Sequence, residues 1–177
     1  MNKMNLQDIK NSIRNIPDFP KKGIQFKDIT TALKNGKVLK EILETCAEHY
    51  KNQKIDYVVG IESRGFIFGT VLAYILGCGF IPVRKPGKLP AKVISQEYDL
   101  EYGADRIEMH ADALNKGDKV LIVDDLLATV GTAKAAADLA KQLGAEIIGF
   151  AFVIELNDLH GRERLSSVAD VYSVVQY

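Results

Sequence analysis

Residues 120–132 read VLIVDDLLATVGT. With Lys119 before it, the run Val120 to Val123 is almost continuously apolar, the pattern of a parallel strand buried on both faces. Two carboxylates, Asp124 and Asp125, end that run, and a loop of small residues then opens a helix with Ala133, Ala136, Ala137, Ala140 and Leu143 on one side. Gly144 fits its C-cap. In open parallel sheets ligands bind beyond the carboxyl ends of the strands. A helix N-terminus offers free backbone N–H groups and a partial positive charge, so a phosphate fits there, and Thr129 and Thr132 add hydroxyl donors. Two aspartates beside such a cradle call for a vicinal diol or a metal ion, and phosphate with diol describes a ribose 5-phosphate. The plain alternative is an ordinary βα loop with Thr132 as N-cap and exposed aspartates. The loop is not a Walker A motif, since no Gly-Lys-Ser/Thr follows, and it lacks the Gly-x-Gly-x-x-Gly dinucleotide fingerprint.

Outward from this unit, Ile147 to Ile154 and Val171 to Val175 read as further strands, so the C-terminal half is a βαβ series and implies a parallel sheet. Upstream, Ile55 to Ile61 is a β-branched run that ends at Glu62-Ser63-Arg64-Gly65, a helix is expected over Phe66 to Leu76, and Phe80 to Val83 is the next strand. Leu6, Ile9, Ile13 and Ile16 lie at spacings of three and four and predict one amphipathic helix at the N-terminus, continuing to Ile16. The breakers of Pro17 to Gly23 stop it, and Val38 to Tyr50 is helical again. Between the strand units, Lys85 to Pro90 is a turn-rich basic segment. From Ile94 to Tyr102 the residues alternate, with Ile94, Tyr98, Leu100 and Tyr102 on one side and Ser95, Glu97, Asp99 and Glu101 on the other. Ile107 and Met109 continue this as a hairpin, an inserted ribbon placed as a lid is placed.

The chain has 177 residues, 47% of them hydrophobic and 26% charged. That length and composition predict one globular domain with an ample core. Its 23 basic and 23 acidic side chains balance, which argues against electrostatic binding of nucleic acid. Cys46 and Cys78 make no disulfide framework, and the expectation is two reduced thiols. The opening MNKMNLQDIKNSIRNI has scattered charges and no apolar core, so no signal peptide is expected. The longest apolar stretch, Phe66 to Cys78, is too short and Gly-interrupted to span a bilayer, which makes the cytoplasm the default compartment. His49, His110 and His160 are separated, and no His/Cys cluster has zinc spacing.

Several blocks together resemble the type I phosphoribosyltransferase family, and within it the adenine-specific members: PKKGIQFKDIT (20–30), GIESRGFIFG (60–69), PVRKPGKLP (82–90), YDLEYG (98–103), 123–132, and LNDLHGRERL (156–165). They run in family order across most of the chain. The resemblance implies an α/β fold, a central parallel sheet flanked by helices, with a small N-terminal hood over about 1–35 and a flexible β-ribbon lid over about 85–113, in a single domain. The implied reaction is adenine plus phosphoribosyl diphosphate giving AMP and diphosphate, with Mg²⁺ carried mainly by the substrate's diphosphate and ribose hydroxyls, in a homodimer that binds neither nucleic acid nor membrane.

Residue by residue, the resemblance implies the following. Asp124 and Asp125 hold the ribose hydroxyls below a developing oxocarbenium ion. Ala128, Thr129, Val130, Gly131 and Thr132 cradle the 5-phosphate. Arg64 meets the diphosphate, for which a guanidinium fork is suited, and Arg84, Lys85 and Lys88 form a second clamp. Glu101 is the general acid/base near the purine, and Tyr102 is a lid contact. Gln25, Phe26 and Lys27 meet the base from the hood, Phe26 by stacking, and Leu156 packs on the base's other side. Taken alone, Arg64 reads as a surface residue opening a helix, the Arg84–Lys88 cluster as a solvated turn, Glu101 as part of a solvated strand face, and Phe26 as a core anchor. The chain departs from the family at Val130, where members usually have Gly-Gly over 130–131. A β-branched residue tolerates positive φ poorly, so a negative φ is expected there. The rival readings are a transferase for another base, a phosphoribosyl diphosphate-sensing regulator, and a flavodoxin-like binding module.

Overall fold

The computed structural model describes residues 4–100 and 103–177. Helix α1 (Leu6–Ser12) starts at a capping box in which the Asn5 side chain accepts from the Asp8 amide. It is shorter than the sequence pattern predicts. The chain turns extended at Ile13 (φ −88°, ψ 120°), and Arg14–Pro17 forms β1, paired antiparallel with β2 (Gln25–Asp28) so that Ile16 faces Phe26. Two helices follow, α2 (Thr30–Lys34) and α3 (Gly36–Tyr50). The α/β unit comprises β3 (Tyr57–Ile61), α4 (Arg64–Leu76), β4 (Gly79–Val83), the antiparallel ribbon β5 (Val93–Leu100) and β6 (Gly103–His110), β7 (Lys119–Leu127), α5 (Gly131–Gln142), β8 (Glu146–Glu155), α6 (Gly161–Ser166) and β9 (Asp170–Gln176).

The central sheet is wholly parallel with strand order β4-β3-β7-β8-β9. Alternation along the strands fills two cores. Val58, Leu121, Val123, Ala151 and Val153 face α1–α4, whereas Val59, Ile122, Phe150 and Phe152 face α5, α6 and the ribbon. A sheet buried on both faces explains why these strands read as apolar runs. Counting along the chain, the order is 2-1-3-4-5, which reverses direction between β3 and β7, and such a switch point opens a crevice at the strand ends. The expected fold class is therefore present, and the segments after β3 and β7 flank that crevice. Four parts were not anticipated: the β1–β2 hairpin, helix α2, the turn Asn157–Leu159 and helix α6.

Candidate active site

Asp124 and Asp125 follow the continuously buried run Val120–Val123 of β7, which continues to Leu127. Asp125 has a buried side chain paired with Arg64 Nε across the crevice, and the Asp124 carboxylate accepts the Asp125 amide at 2.8 Å. Burial, and then the charge of Asp125, push the Asp124 carboxyl well above the usual carboxylate range, with Arg64 opposing. Burial alone would lower the Arg64 pKa, but Asp125 and then Asp124 raise it. The close approach of α4 to β7 depends on Gly65, where a Cβ would lie 2.7 Å from the Val123 carbonyl and 3.1 Å from Asp124 Oδ1.

After β7 the chain passes through Ala128 and Thr129 into α5. Val130 occupies the N-cap position with φ −71° and ψ −16°, as expected for a valine, and its side chain is buried in the α5-side core. Thr132 is not the cap. Val130 has no capping side chain, so the first amides of α5 present their N–H groups to the crevice end without one. Two elements hold this loop. A Cβ on Gly161 would lie 2.8 Å from the Ala128 carbonyl, so the start of α6 sits directly against it. A Cβ on Gly131 would lie 2.9 Å from the Tyr98 ring and 3.0 Å from the Asp99 carbonyl, so β5 packs on the other side.

The basic residues after β4 are gathered, not solvated separately. The Glu62 carboxylate accepts from Arg84 Nε and Nη2, both at 3.3 Å, from the Lys85 amide at 3.0 Å and from Lys88 Nζ at 2.6 Å. Burial alone would raise the Glu62 pKa, but Lys88, the Lys85 amide and Arg84 outweigh it and hold the carboxyl down to about 2. The ammonium of Lys85 turns the other way, to Asp105 on β6 and to the Tyr98 hydroxyl at 2.8 Å. Gly87 makes the turn with a φ of 76°, in the left-handed region that favours glycine. Its amide donates to Glu108 at 3.0 Å.

The β1–β2 hairpin lies at the same end of the sheet. Lys27 Nζ donates to Asn15 at 3.0 Å and lies 4.3 Å above the ring of Tyr177, which follows β9. Gln25 accepts from Asn15 at 2.6 Å, and Phe26 meets Phe19 edge-on at 5.2 Å. Asp28, paired with Arg14, is held down to about 2 by Arg14 and Thr30, and it adds to the field on Arg64. Leu156, after β8, donates its amide to the Leu127 carbonyl at 3.0 Å and so sits beside the phosphate-type loop.

A family model for the phosphoribosyl transferase domain matches residues 26–176. The adenine phosphoribosyltransferase of Acaryochloris marina is 57% identical over 170 residues, 96% of this chain and 99% of that protein. The crystal structure of adenine phosphoribosyltransferase from Thermoanaerobacter pseudethanolicus superposes with a TM-score of 0.94 at 50% identity, covering 98% of this chain and all of that one. That of the Saccharomyces cerevisiae enzyme, complexed with an imino-altritol bisphosphate and adenine, gives 0.89 at 41% identity, covering 96% and 98%.

The chain belongs to the phosphoribosyltransferase family. On this phosphoribosyltransferase the strand ends bring together Arg64, Asp124, Asp125 and the loop Ala128–Thr132, with Leu156 alongside. Arg84 and Lys88 are joined through Glu62, while Lys85 stands apart from them on Asp105. Gln25, Phe26 and Lys27 share the hairpin. Glu101 and Tyr102 lie outside the described residues. Sequence reasoning missed Glu62, Asp105 and the Glu155–Arg162 pair, in which Arg162 Nε reaches Glu155 at 2.9 Å and anchors α6 against β8. The signals were present, since GIESRGF and HGRERL contain Glu62 and Arg162, but nothing local distinguishes those charges from solvated ones.

Proposed function

We propose that the chain, working as one phosphoribosyltransferase domain over 1–177, transfers the 5-phosphoribosyl group from phosphoribosyl diphosphate to adenine, giving AMP and diphosphate in purine salvage. The observation that carries this is the pairing of two carboxylates at a parallel-sheet switch point with an adjacent α5 N-terminus free of a side-chain cap. The 5-phosphate binds the amides and hydroxyls of Ala128, Thr129, Val130, Gly131 and Thr132. Asp124 and Asp125 accept from the ribose 2- and 3-hydroxyls and oppose the positive charge that builds on the sugar as the diphosphate departs. Arg64, already paired with Asp125, links that carboxylate to the diphosphate side. Arg84 and Lys88 line the same side, and Lys85, which the resemblance assigns to the same clamp, would have to leave Asp105 to join them.

Phe26 stacks on the purine, with Gln25 and Lys27 as hairpin contacts and Leu156 opposite. Glu101 shares the proton that adenine loses as its ring nitrogen bonds to the sugar, and Tyr102 is a lid contact; both assignments rest on the YDLEYG resemblance. A Mg²⁺ that keeps its waters would arrive on the substrate, held mainly by the diphosphate and the ribose hydroxyls, with the hard oxygens of Asp124 and Asp125 on the ribose side. When bound, that ion neutralises charge on the leaving diphosphate. A homodimer is supported by an exposed apolar stripe on α4, Ile67, Val71, Tyr74 and Ile75, which a second copy would cover. Among the described residues no helix is long and apolar enough to cross a membrane. A cytoplasmic site agrees with free thiols at Cys46 and Cys78, burial pushing Cys46 up to about 12.

The test is release of diphosphate from phosphoribosyl diphosphate with adenine, hypoxanthine, guanine, xanthine or orotate in turn, with and without Mg²⁺. Turnover with adenine far above the other bases, and dependent on Mg²⁺, is expected. Preference for an oxopurine or orotate would overturn the substrate assignment, and no turnover with any base would leave a sensor or binding module.

A further inference from the structure

Glu62 has no role in the reaction outlined above, yet among the described residues it is the most heavily engaged carboxylate at the crevice. Only 11% of its side chain is exposed. Arg84 commits Nε and Nη2 to its two oxygens, and the third nitrogen, Nη1, donates to the Lys88 carbonyl at 3.1 Å. All three nitrogens of the guanidinium are therefore engaged within the protein; the Nε–Nη2 fork is taken up by Glu62, and one N–H on each terminal nitrogen is left over. Lys88 differs. Its ammonium has three donors, one of them on Glu62. The Lys88 side chain is 48% exposed. The charges of Glu62 and Arg84 cancel, so the cluster presents one net positive charge, and it is Lys88 that faces solvent. Glu62 also lies two residues before Arg64, on the segment leading from β3 to α4. One carboxylate thus ties the β4 cations to the segment that carries Arg64.

We propose that Glu62 is a positioning residue of the transfer reaction: with Arg84 it forms a brace that holds Lys88 in place, beside the segment carrying Arg64, for the diphosphate of the substrate. This rests on the assignment of phosphoribosyl diphosphate as substrate. Holding a cation in advance of the reaction lowers the reorganisation needed as charge develops on the leaving group. A carboxylate beside a polyanion also repels the diphosphate, so removing its charge tightens diphosphate binding even as the lost placement of Lys88 slows the transfer.

Those two effects have opposite signs and can be separated. Glu62→Gln removes the charge and the fork but keeps the size. In the folded variant kcat should fall by ~10-fold or more, the KM for adenine should not change, and the KM for phosphoribosyl diphosphate and inhibition by diphosphate should stay level or tighten. Lys88→Ala should cost ~10-fold in the wild type but less than ~3-fold in the Glu62→Gln background, because Lys88 has already lost its placement. Glu62→Asp should recover part of kcat. A residue that served folding alone would give neither the split between KM and kcat nor the coupling to Lys88. An unchanged kcat in Glu62→Gln, or fully multiplicative losses with Lys88→Ala, would overturn the proposal. Should Glu62→Gln not fold, Glu62→Asp decides: a kcat deficit at unchanged adenine KM supports the brace, and wild-type kcat overturns it. Absence of adenine-dependent turnover in the wild type refutes the activity reading itself, a result distinct from any of these.

Discussion

Gly65→Ala adds one methyl group, at the point where α4 meets β7. That carbon would stand 2.7 Å from the Val123 carbonyl oxygen, where ordinary contact begins near 3.4 Å. The helix start must therefore retreat by roughly 0.7 Å in a close-packed interior. The obstacle is backbone of a central strand, which cannot swing aside as a flexible side chain would. Overpacking of this size costs ~1–3 kcal/mol, reduced by the ~0.5–1 kcal/mol that alanine gains over glycine in a helix. The functional cost is larger in proportion. Arg64 is the preceding residue and meets Asp125 across the crevice. Misplacement of about 1 Å can cost on the order of 100-fold in rate. Gly36→Ala serves as the control, since a Cβ there meets nothing within 4 Å and the residue likewise opens a helix. Urea unfolding and initial rates of AMP formation should show Gly65→Ala less stable by ~1–2 kcal/mol and at least ~10-fold slower, with Gly36→Ala unaffected in rate. Equal rates for the two variants would refute the link from helix packing to the site.

Replacing Asp124 and Asp125 together with Asn should cut turnover by at least ~100-fold while the protein still folds, a loss read from steady-state rates alongside circular dichroism. Asp124→Asn alone should raise stability at pH 8 and not at pH 4. The folded pKa of Asp124 lies above its unfolded value of 3.8, so the ionised acid costs stability at high pH, and that cost vanishes as pH falls through the folded pKa; urea midpoints at the two pH values check the sign. Val130→Gly should leave the KM for phosphoribosyl diphosphate near its wild-type value, because φ is already negative. Val130 is buried, so the change should destabilise by ~2–3 kcal/mol through loss of buried carbons and added chain entropy. Asp28 and Glu62 both have folded pKa values depressed to about 2, so the stability they contribute is present above their unfolded values of 3.8 and 4.5 and is lost as pH falls toward 2. Arg14→Ala should remove the Asp28 part and flatten that acid limb of the urea-midpoint profile.

The core was legible because its signals are local. A strand buried on both faces has to be apolar along its length, as Val120–Val123 is, and a helix packed on a sheet has to repeat its small residues at three and four, as Ala133–Ala140 does. Asp124, Asp125 and the loop to Thr132 were legible for the same reason, since strand, acids and helix start are contiguous. The hairpin was not. Ile13 and Ile16 continue the helical spacing of Leu6 and Ile9, and only the pairing of Ile16 with Phe26, ten residues on, makes β1 a strand. Glu62 escaped because its partners Arg84 and Lys88 are 22 and 26 residues away and arrive only through the parallel pairing of β3 with β4. Val130 is the instructive middle case. The sequence showed that a valine there requires negative φ, but that its side chain fills the core beside α5 is a fact of packing.

The central claim is that the segment 124–132 reads a ribose 5-phosphate, diol on the aspartates and phosphate on the loop. Titration of ¹⁵N-labelled protein with AMP and with its 2′,3′-dideoxy analogue tests it most directly. AMP should shift the amides of 128–132 in a saturable manner, and the dideoxy analogue should shift the same amides but bind at least ~10-fold more weakly, a difference that disappears in the Asp124→Asn, Asp125→Asn variant. Binding that leaves the 128–132 amides unmoved, or equal affinity for the two ligands in the wild type, would contradict it.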